Sequence, residues 1–249
     1  MPGVTVTQAA SHLFTVNDEC DKLAEETAQR FHTIVAKLLF VCKRSRPDIQ
    51  VAVAFLTTRV ISPDEDDWKK LGRVIKYLRY TVKMELLLSW DNKAVLNVAV
   101  DAAFAVHPNI MSHTGFTMTA GRGSFCSSSI KQKMNTRSST EAELVGLDDA
   151  LLQALWTRQF MLAQGYRLDE VVLHQDNLST MQLATKGKAS SSKRTRHLDI
   201  RFFFIKDKID SGEVKLQYTT TLDLTSDYFT KPLQGTAFHK FRDKIMGKQ

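Results

Sequence analysis

The segment Val95-Leu96-Asn97-Val98-Ala99-Val100-Asp101 decides how this chain is read. Apolar residues dominate it, the turn signal Asp91-Asn92 precedes it, and an acid closes it. It is expected to be a buried strand that delivers a carboxylate at its carboxyl end. Downstream, residues 115–120 and 124–131 read as two more strands joined by Gly121-Arg122-Gly123. A long helix is expected over 139–163, stopped by Gly165. Then come a strand over 171–175, a helix over 198–209 broken by Gly212, a strand over 214–219, and a last helix over 225–246 interrupted near Pro232. Three strands, helix, strand, helix, strand and helix make an α/β domain on a mixed sheet.

Upstream the pattern changes. Residues 1–20 lack periodicity and read as an extended lead-in. Leu23, Phe31, Ile34, Val35, Leu38, Leu39 and Val41 recur at helical spacing, and Arg46-Pro47 ends that run. A second helix is expected over 48–58. A third is expected to start at Ser62 as N-cap, with Pro63 in the first helical position and Glu65 closing a capping box. The expected organisation is a lead-in (1–20), a helical segment (21–84) and an α/β domain (85–249).

Composition bounds the function classes. The 249 residues are 43% hydrophobic and 24% charged, the profile of a globular domain with enough apolar material for a core. No run approaches the roughly 20 apolar residues of a membrane span, and no secretory signal is visible. Three separated cysteines (Cys20, Cys42, Cys126) argue against a disulfide framework or zinc site and for a reducing compartment. The net charge of +7 is uneven: +2 over 1–90, −2 over 91–180 and +7 over 181–249. An acidic middle beside a basic tail suits a metal-binding cluster next to a phosphate-binding surface.

Four acids stand out. Asp101 and Asp176 each close an apolar strand, where ligands bind in α/β sheets. Ser138-Ser139-Thr140-Glu141 fits a capping box, which gives Glu141 a structural role. Glu143 instead lies in phase with Leu147, Ala150 and Ala154, so it enters the apolar face of its helix and needs a cationic partner. Asp227 opens the last helix. Four carboxylates from two strand ends and two helix starts would repel one another unless cations neutralise them. Oxygen-only ligation suits two Mg²⁺ ions, with Mn²⁺ an alternative, and such a pair clamps the attacking water and the leaving oxygen of a phosphodiester.

These residues sit in longer motifs: Val100-Asp101-Ala102-Ala103-Phe104-Ala105-Val106-His107, Asn135-Thr136-Arg137-Ser138-Ser139-Thr140-Glu141-Ala142-Glu143, Gln175-Asp176-Asn177, Lys193-Arg194-Thr195-Arg196-His197-Leu198-Asp199-Ile200-Arg201 and Asp227-Tyr228-Phe229-Thr230-Lys231-Pro232-Leu233. Their order and spacing resemble the ribonuclease H domain of Ty1/copia-type retrotransposon polyproteins. The upstream motifs, Phe31 to Leu39 with Arg46-Pro47-Asp48-Ile49 and Trp68-Lys69-Lys70 with Tyr77-Leu78-Arg79, look like the helical end of the same polyproteins' reverse transcriptase. The resemblance runs from about residue 20 to the end. It implies a ribonuclease H-like fold, a mixed five-stranded sheet with flanking helices preceded by a small all-helical segment. It also implies cleavage of the RNA strand of an RNA/DNA hybrid with two Mg²⁺ ions, and it puts the family's acidic tetrad on Asp101, Glu143, Asp176 and Asp227. A polymerase portion as partner, no membrane, and an intracellular setting (cytoplasmic virus-like particle or nucleus) are further implications.

Two departures accompany the resemblance. The Tyr-x-Asp-Asp turn of the polymerase does not occur, so the chain is not expected to synthesise DNA. No His lies between His197 and Asp227, whereas many cellular ribonucleases H carry a mobile His shortly before the last Asp. Backbone phosphates of the hybrid are expected on Arg137, Asn177, Lys193, Arg194, Arg196 and His197. Phe202-Phe203-Phe204 is read as core, His174 as packed on the sheet, and His107 and His113 as loop residues beyond Asp101. Two other readings fit the residues: a non-catalytic nucleic-acid-binding or interaction module, and an inactive truncated retroelement fragment.

Overall fold

The computed structural model describes residues 3–91, 93–186 and 196–248, with no account of the side chains of 196–199. Its centre is a five-stranded sheet ordered β3-β2-β1-β4-β5, made of β1 (Val95–Ala103), β2 (His113–Thr119), β3 (Cys126–Lys131), β4 (Glu170–Gln175) and β5 (Lys215–Tyr218). β1, β2 and β3 pair antiparallel, while β4 is parallel to β1 and β5 to β4. The sheet is therefore mixed, as expected for a ribonuclease H-like fold.

Period-two alternation assigns the two faces. Leu96, Val98 and Val100 of β1 join Phe116, Met118 and Leu173 in a core closed by Leu144, Leu147, Leu151 and Ala154 of α4 (Ser139–Ala163) and by Phe202 and Ile205 of α6 (Arg196–Asp210). Asp101 points to the opposite face, against α7 (Asp227–Thr230). A short helix, α5 (Leu178–Lys186), follows β4; the sequence reading assigned it no element. The expected last helix is two helices, α7 and α8 (Gly235–Ile245), separated around Pro232, which cannot donate to a continuing helix. Of the three consecutive phenylalanines only Phe202 and Phe204 reach the core. Phe203 is 62% exposed.

The helical front half comprises α1 (Glu25–Arg44), a 3₁₀ turn (Pro47–Ile49), α2 (Gln50–Thr57) and α3 (Glu65–Tyr80). The expected cap of α3 is displaced. Asp64, not Ser62, is the N-cap: its carboxylate accepts from the Asp67 amide at 2.9 Å, and Asp67 accepts from the Asp64 amide at 3.1 Å. An ionised carboxylate is the stronger acceptor here, and Arg59 reaches both acids.

One core joins Phe31, Val35, Leu56, Leu71 and Val74 of these helices to Tyr228, Phe229, Phe238, Phe241 and Ile245 of the last two. The expected division at 84/85 thus falls between segments that share a core. Helix α2 also covers the sheet edge at β3, where Gln50 and Lys43 donate to the Ser127 carbonyl at 3.1 and 3.2 Å. A buried polar network pins the arrangement. Asp48, fully buried, takes two hydrogen bonds from Arg46 at 2.8 and 2.7 Å and one from the Tyr77 hydroxyl at 2.7 Å, and the Tyr228 hydroxyl donates to its carbonyl at 2.9 Å.

Removing one partner of such a pair strands the other charge. Asp48→Ala is expected to cost about 3–5 kcal/mol, read as a lower midpoint in urea unfolding. An unchanged midpoint would show that the network adds no net stability.

Candidate active site

Parallel pairing of β1 with β4 sets Ala99 opposite His174 and brings both strands to the same end of the sheet. Asp101 and Asp176 emerge there as neighbours. β1 continues past Asp101 to Ala103 because Ala102 and Ala103 still pair with Thr114 and His113, so Asp101 lies inside the strand rather than closing it. Helix α4 adds Glu143 from its second turn. Ser138 caps that helix by accepting from the Glu141 amide at 3.2 Å, and Gln132 donates to the Ala142 carbonyl at 2.9 Å. Glu141 departs from the expected capping box: its carboxylate accepts from the Arg137 amide at 2.7 Å, one residue before the N-cap. Asp101, Glu143 and Asp176 each offer an oxygen within 4.8 Å of the others.

Asp227 arrives on α7, which lies unusually close to the sheet. Gly115 sits opposite Asp101, and a Cβ there would stand 2.7 Å from the Thr230 methyl and 2.8 Å from the Phe229 Cβ. The missing side chain lets α7 approach. Its backbone is also held by a chain of hydrogen bonds. His107 Nε2 meets His113 Nδ1 at 2.9 Å, His113 Nε2 meets Ser129 Oγ at 2.7 Å, and Ser129 donates to the Phe229 carbonyl at 2.7 Å. Burial pushes both imidazoles down, to about 4 for His107 and about 3 for His113, so they are neutral supports. His174 also packs on the sheet, between Asn97 and Thr219 at 3.0 and 2.9 Å.

Several supports escaped the sequence reading. Gln175, wholly buried, donates its side-chain amide to Glu143 at 3.1 Å while its side-chain Oε1 accepts from the Asp176 and Asn177 amides at 2.7 and 2.9 Å. The signal was a polar residue ending an apolar strand. Thr230 donates to Asp101, and Thr221 donates to Asp176 at 2.6 Å. Lys231 lies 2.8 Å from Asp227 and 3.5 Å from Asp101; its i, i+4 spacing from Asp227 was the available clue.

The electrostatics follow. Burial, then the charge of Asp101, raises the Glu143 carboxyl well above its usual range. The same two causes push Asp227 up to about 7, against the pull of Lys231. Burial opposes the charge on Lys231, but Asp101 and Asp227 outweigh it and raise its pKa.

The expected phosphate contacts are dispersed. Arg137 is exposed just ahead of α4, and Asn177 uses its side-chain oxygen to accept from the Thr180 amide at 3.0 Å. Arg196 and His197 open α6, with side chains outside the described set, and Lys193 and Arg194 lie outside the described residues.

A mixed sheet in this order, helices on both faces and carboxylates gathered where β1 and β4 end define a protein of ribonuclease H-like fold. Sequence comparison adds the relationship. The chain is 31% identical over 226 residues to the retrovirus-related Pol polyprotein from transposon RE1 of Arabidopsis thaliana, covering 90% of the chain and 15% of that polyprotein. It is 25% identical over 244 residues to the corresponding polyprotein of transposon TNT 1-94 of Nicotiana tabacum, covering 96% and 18%. The chain is thus a relative of retrotransposon Pol polyproteins and spans under a fifth of their length. No protein-family model matches. Among solved structures, RNase H1 from Halobacterium salinarum NRC-1 aligns with 53% of the chain and 90% of its own, at 13% identity and a TM-score of 0.39.

A carboxyl whose pKa is raised by folding binds its proton more tightly in the native than in the unfolded state. Its contribution to stability is best at low pH and is lost as pH rises from about 4 to about 7. Asp227→Asn removes that loss. In the absence of metal its melting temperature should exceed wild type by more at pH 8 than at pH 5, measured by calorimetry. A pH-independent difference would show that Asp227 is not held protonated.

Proposed function

We propose that the chain is a metal-dependent endoribonuclease of ribonuclease H type that cleaves the RNA strand of RNA/DNA hybrids. The observation that carries this reading is the convergence of Asp101, Glu143 and Asp176 within 4.8 Å at the carboxyl end of two parallel strands, with Asp227 joined to the same group through Lys231. The donor set suits Mg²⁺, with Mn²⁺ as substitute: it is oxygen only, Asp101 and Glu143 are almost wholly buried, and its negative charge exceeds the positive charge of the Lys231 ammonium beside it. Asp101, Glu143, Asp176 and Asp227 would hold two such ions. Bound there, divalent ions supply Lewis-acid activation of water and neutralise the leaving oxygen.

The chain's own groups set the stage for that chemistry. Gln175 fixes Glu143 relative to the turn that carries Asp176. Thr230 and Thr221 each donate to one carboxylate oxygen, which fixes the orientation of the Asp101 and Asp176 carboxyl groups. Arg137, Asn177, Lys193, Arg194, Arg196 and His197 are the proposed phosphate contacts, reading the hybrid by backbone and shape. The polymerase portion of a longer polyprotein is the proposed neighbour of the helical front half. Among the described residues no helix is long and apolar enough to cross a membrane.

The test is cleavage of a labelled RNA/DNA hybrid with and without Mg²⁺. Wild type should cut the RNA strand only with the ion, and Asp176→Asn should lower the rate by about a hundredfold or more. A wild type that does not cut, or a variant that cuts equally, overturns the reading. Gln175→Ala touches no substrate group in this scheme and should raise the Mg²⁺ concentration for half-maximal rate by about 10–100-fold. An unchanged requirement would remove Gln175 from the positioning role.

A further inference from the structure

The four acids are not equivalent in their surroundings. Asp101, Glu143 and Asp176 form one close group. Asp227 stands against Lys231, whose ammonium is 2.8 Å from Asp227 Oδ1 and 3.5 Å from Asp101 Oδ2. No other Lys, Arg or His nitrogen among the described residues lies within 4.0 Å of these four carboxylates. Lys231 is therefore where a cation bridging Asp101 and Asp227 would stand.

We propose that Lys231 is a resident counter-ion that divides metal binding into two steps. One divalent ion enters the Asp101–Glu143–Asp176 group with the ammonium in place, and a second enters between Asp101 and Asp227 only by displacing it. The proposal rests on the reading of this cluster as a metal centre.

Three features fit a displaceable cation rather than a fixed structural pair. The Lys231 side chain is 41% exposed, whereas those of Asp101 and Asp227 are nearly buried. Its backbone is extended, immediately after α7 ends and before Pro232, so no helical turn confines the stem. An ammonium is also a compact point charge on four methylenes, without the planar double contact by which a guanidinium would clamp two carboxylates. A unit charge about 4 Å from an incoming divalent ion alters its affinity by about thirtyfold with water-like screening and by far more at the effective dielectric of a half-buried site.

The test is calorimetric titration of the full chain with Mn²⁺, without nucleic acid, alongside NMR of the Lys231 ε-carbon during titration with diamagnetic Mg²⁺. Wild type should bind in two unequal steps, and the ε-carbon signal should move only with the second. Lys231→Met should tighten the second step by at least about fivefold more than the first, while Lys231→Arg, which keeps the charge, should leave it weak. Equal tightening of both steps in Lys231→Met, an unchanged second step, or an ε-carbon signal that moves with the first ion overturns the proposal. Should Lys231→Met not fold, the wild-type NMR titration decides alone. A wild type that binds no Mn²⁺ overturns the metal-centre reading itself, which separates the two failures.

Discussion

The mutual repulsion of carboxylates brought together at one end of a sheet is the constraint around which this structure is arranged. Parallel pairing puts Asp101 beside Asp176, a helix start adds Glu143, and a second helix adds Asp227. Four acids in a mostly buried place hold protons or attract cations. The raised pKa values of Glu143 and Asp227 and the ammonium between Asp227 and Asp101 are two expressions of one unbalanced charge.

What keeps the group from spreading is a set of uncharged donors and one absent side chain. Gln175 ties Glu143 to the Asp176 turn, Thr230 and Thr221 each engage one carboxylate, and Gly115 lets α7 lie against the sheet. The support of α7 extends further, because Tyr228, next to Asp227, bonds to Asp48 in the helical front half. The front helices are thus connected to the fourth acid by two residues and a hydrogen bond, which links their packing to the geometry of the site.

Much of this was legible in the sequence because it rests on period and position. The helix expected over 139–163 is found with those bounds, and the strands appear within two residues of where they were expected. Phase on α4 separated Glu143, which faces the cluster, from Glu141, which serves the helix end. The illegible part is of another kind. Gln175 gains its role from a contact to a residue 32 positions away, and Gly115 from a helix more than 110 positions away. Neither spacing nor composition encodes such partners. Asp64 displaced Ser62 as a cap because Arg59 stands beside it, again a tertiary circumstance. Helix α5 was passed over since its nine residues bury only Thr180 and Ala184, too little apolar surface to print a rhythm.

The core shared by the first helices and the last two has a consequence for how the polypeptide responds to being cut. Phe31 and Leu71 touch the same apolar cluster as Phe238 and Ile245, so the two ends of the chain are interleaved rather than set side by side. A proteolytic nick near residue 84 would sever the backbone without releasing anything. The apolar cluster to which both pieces contribute would hold them together.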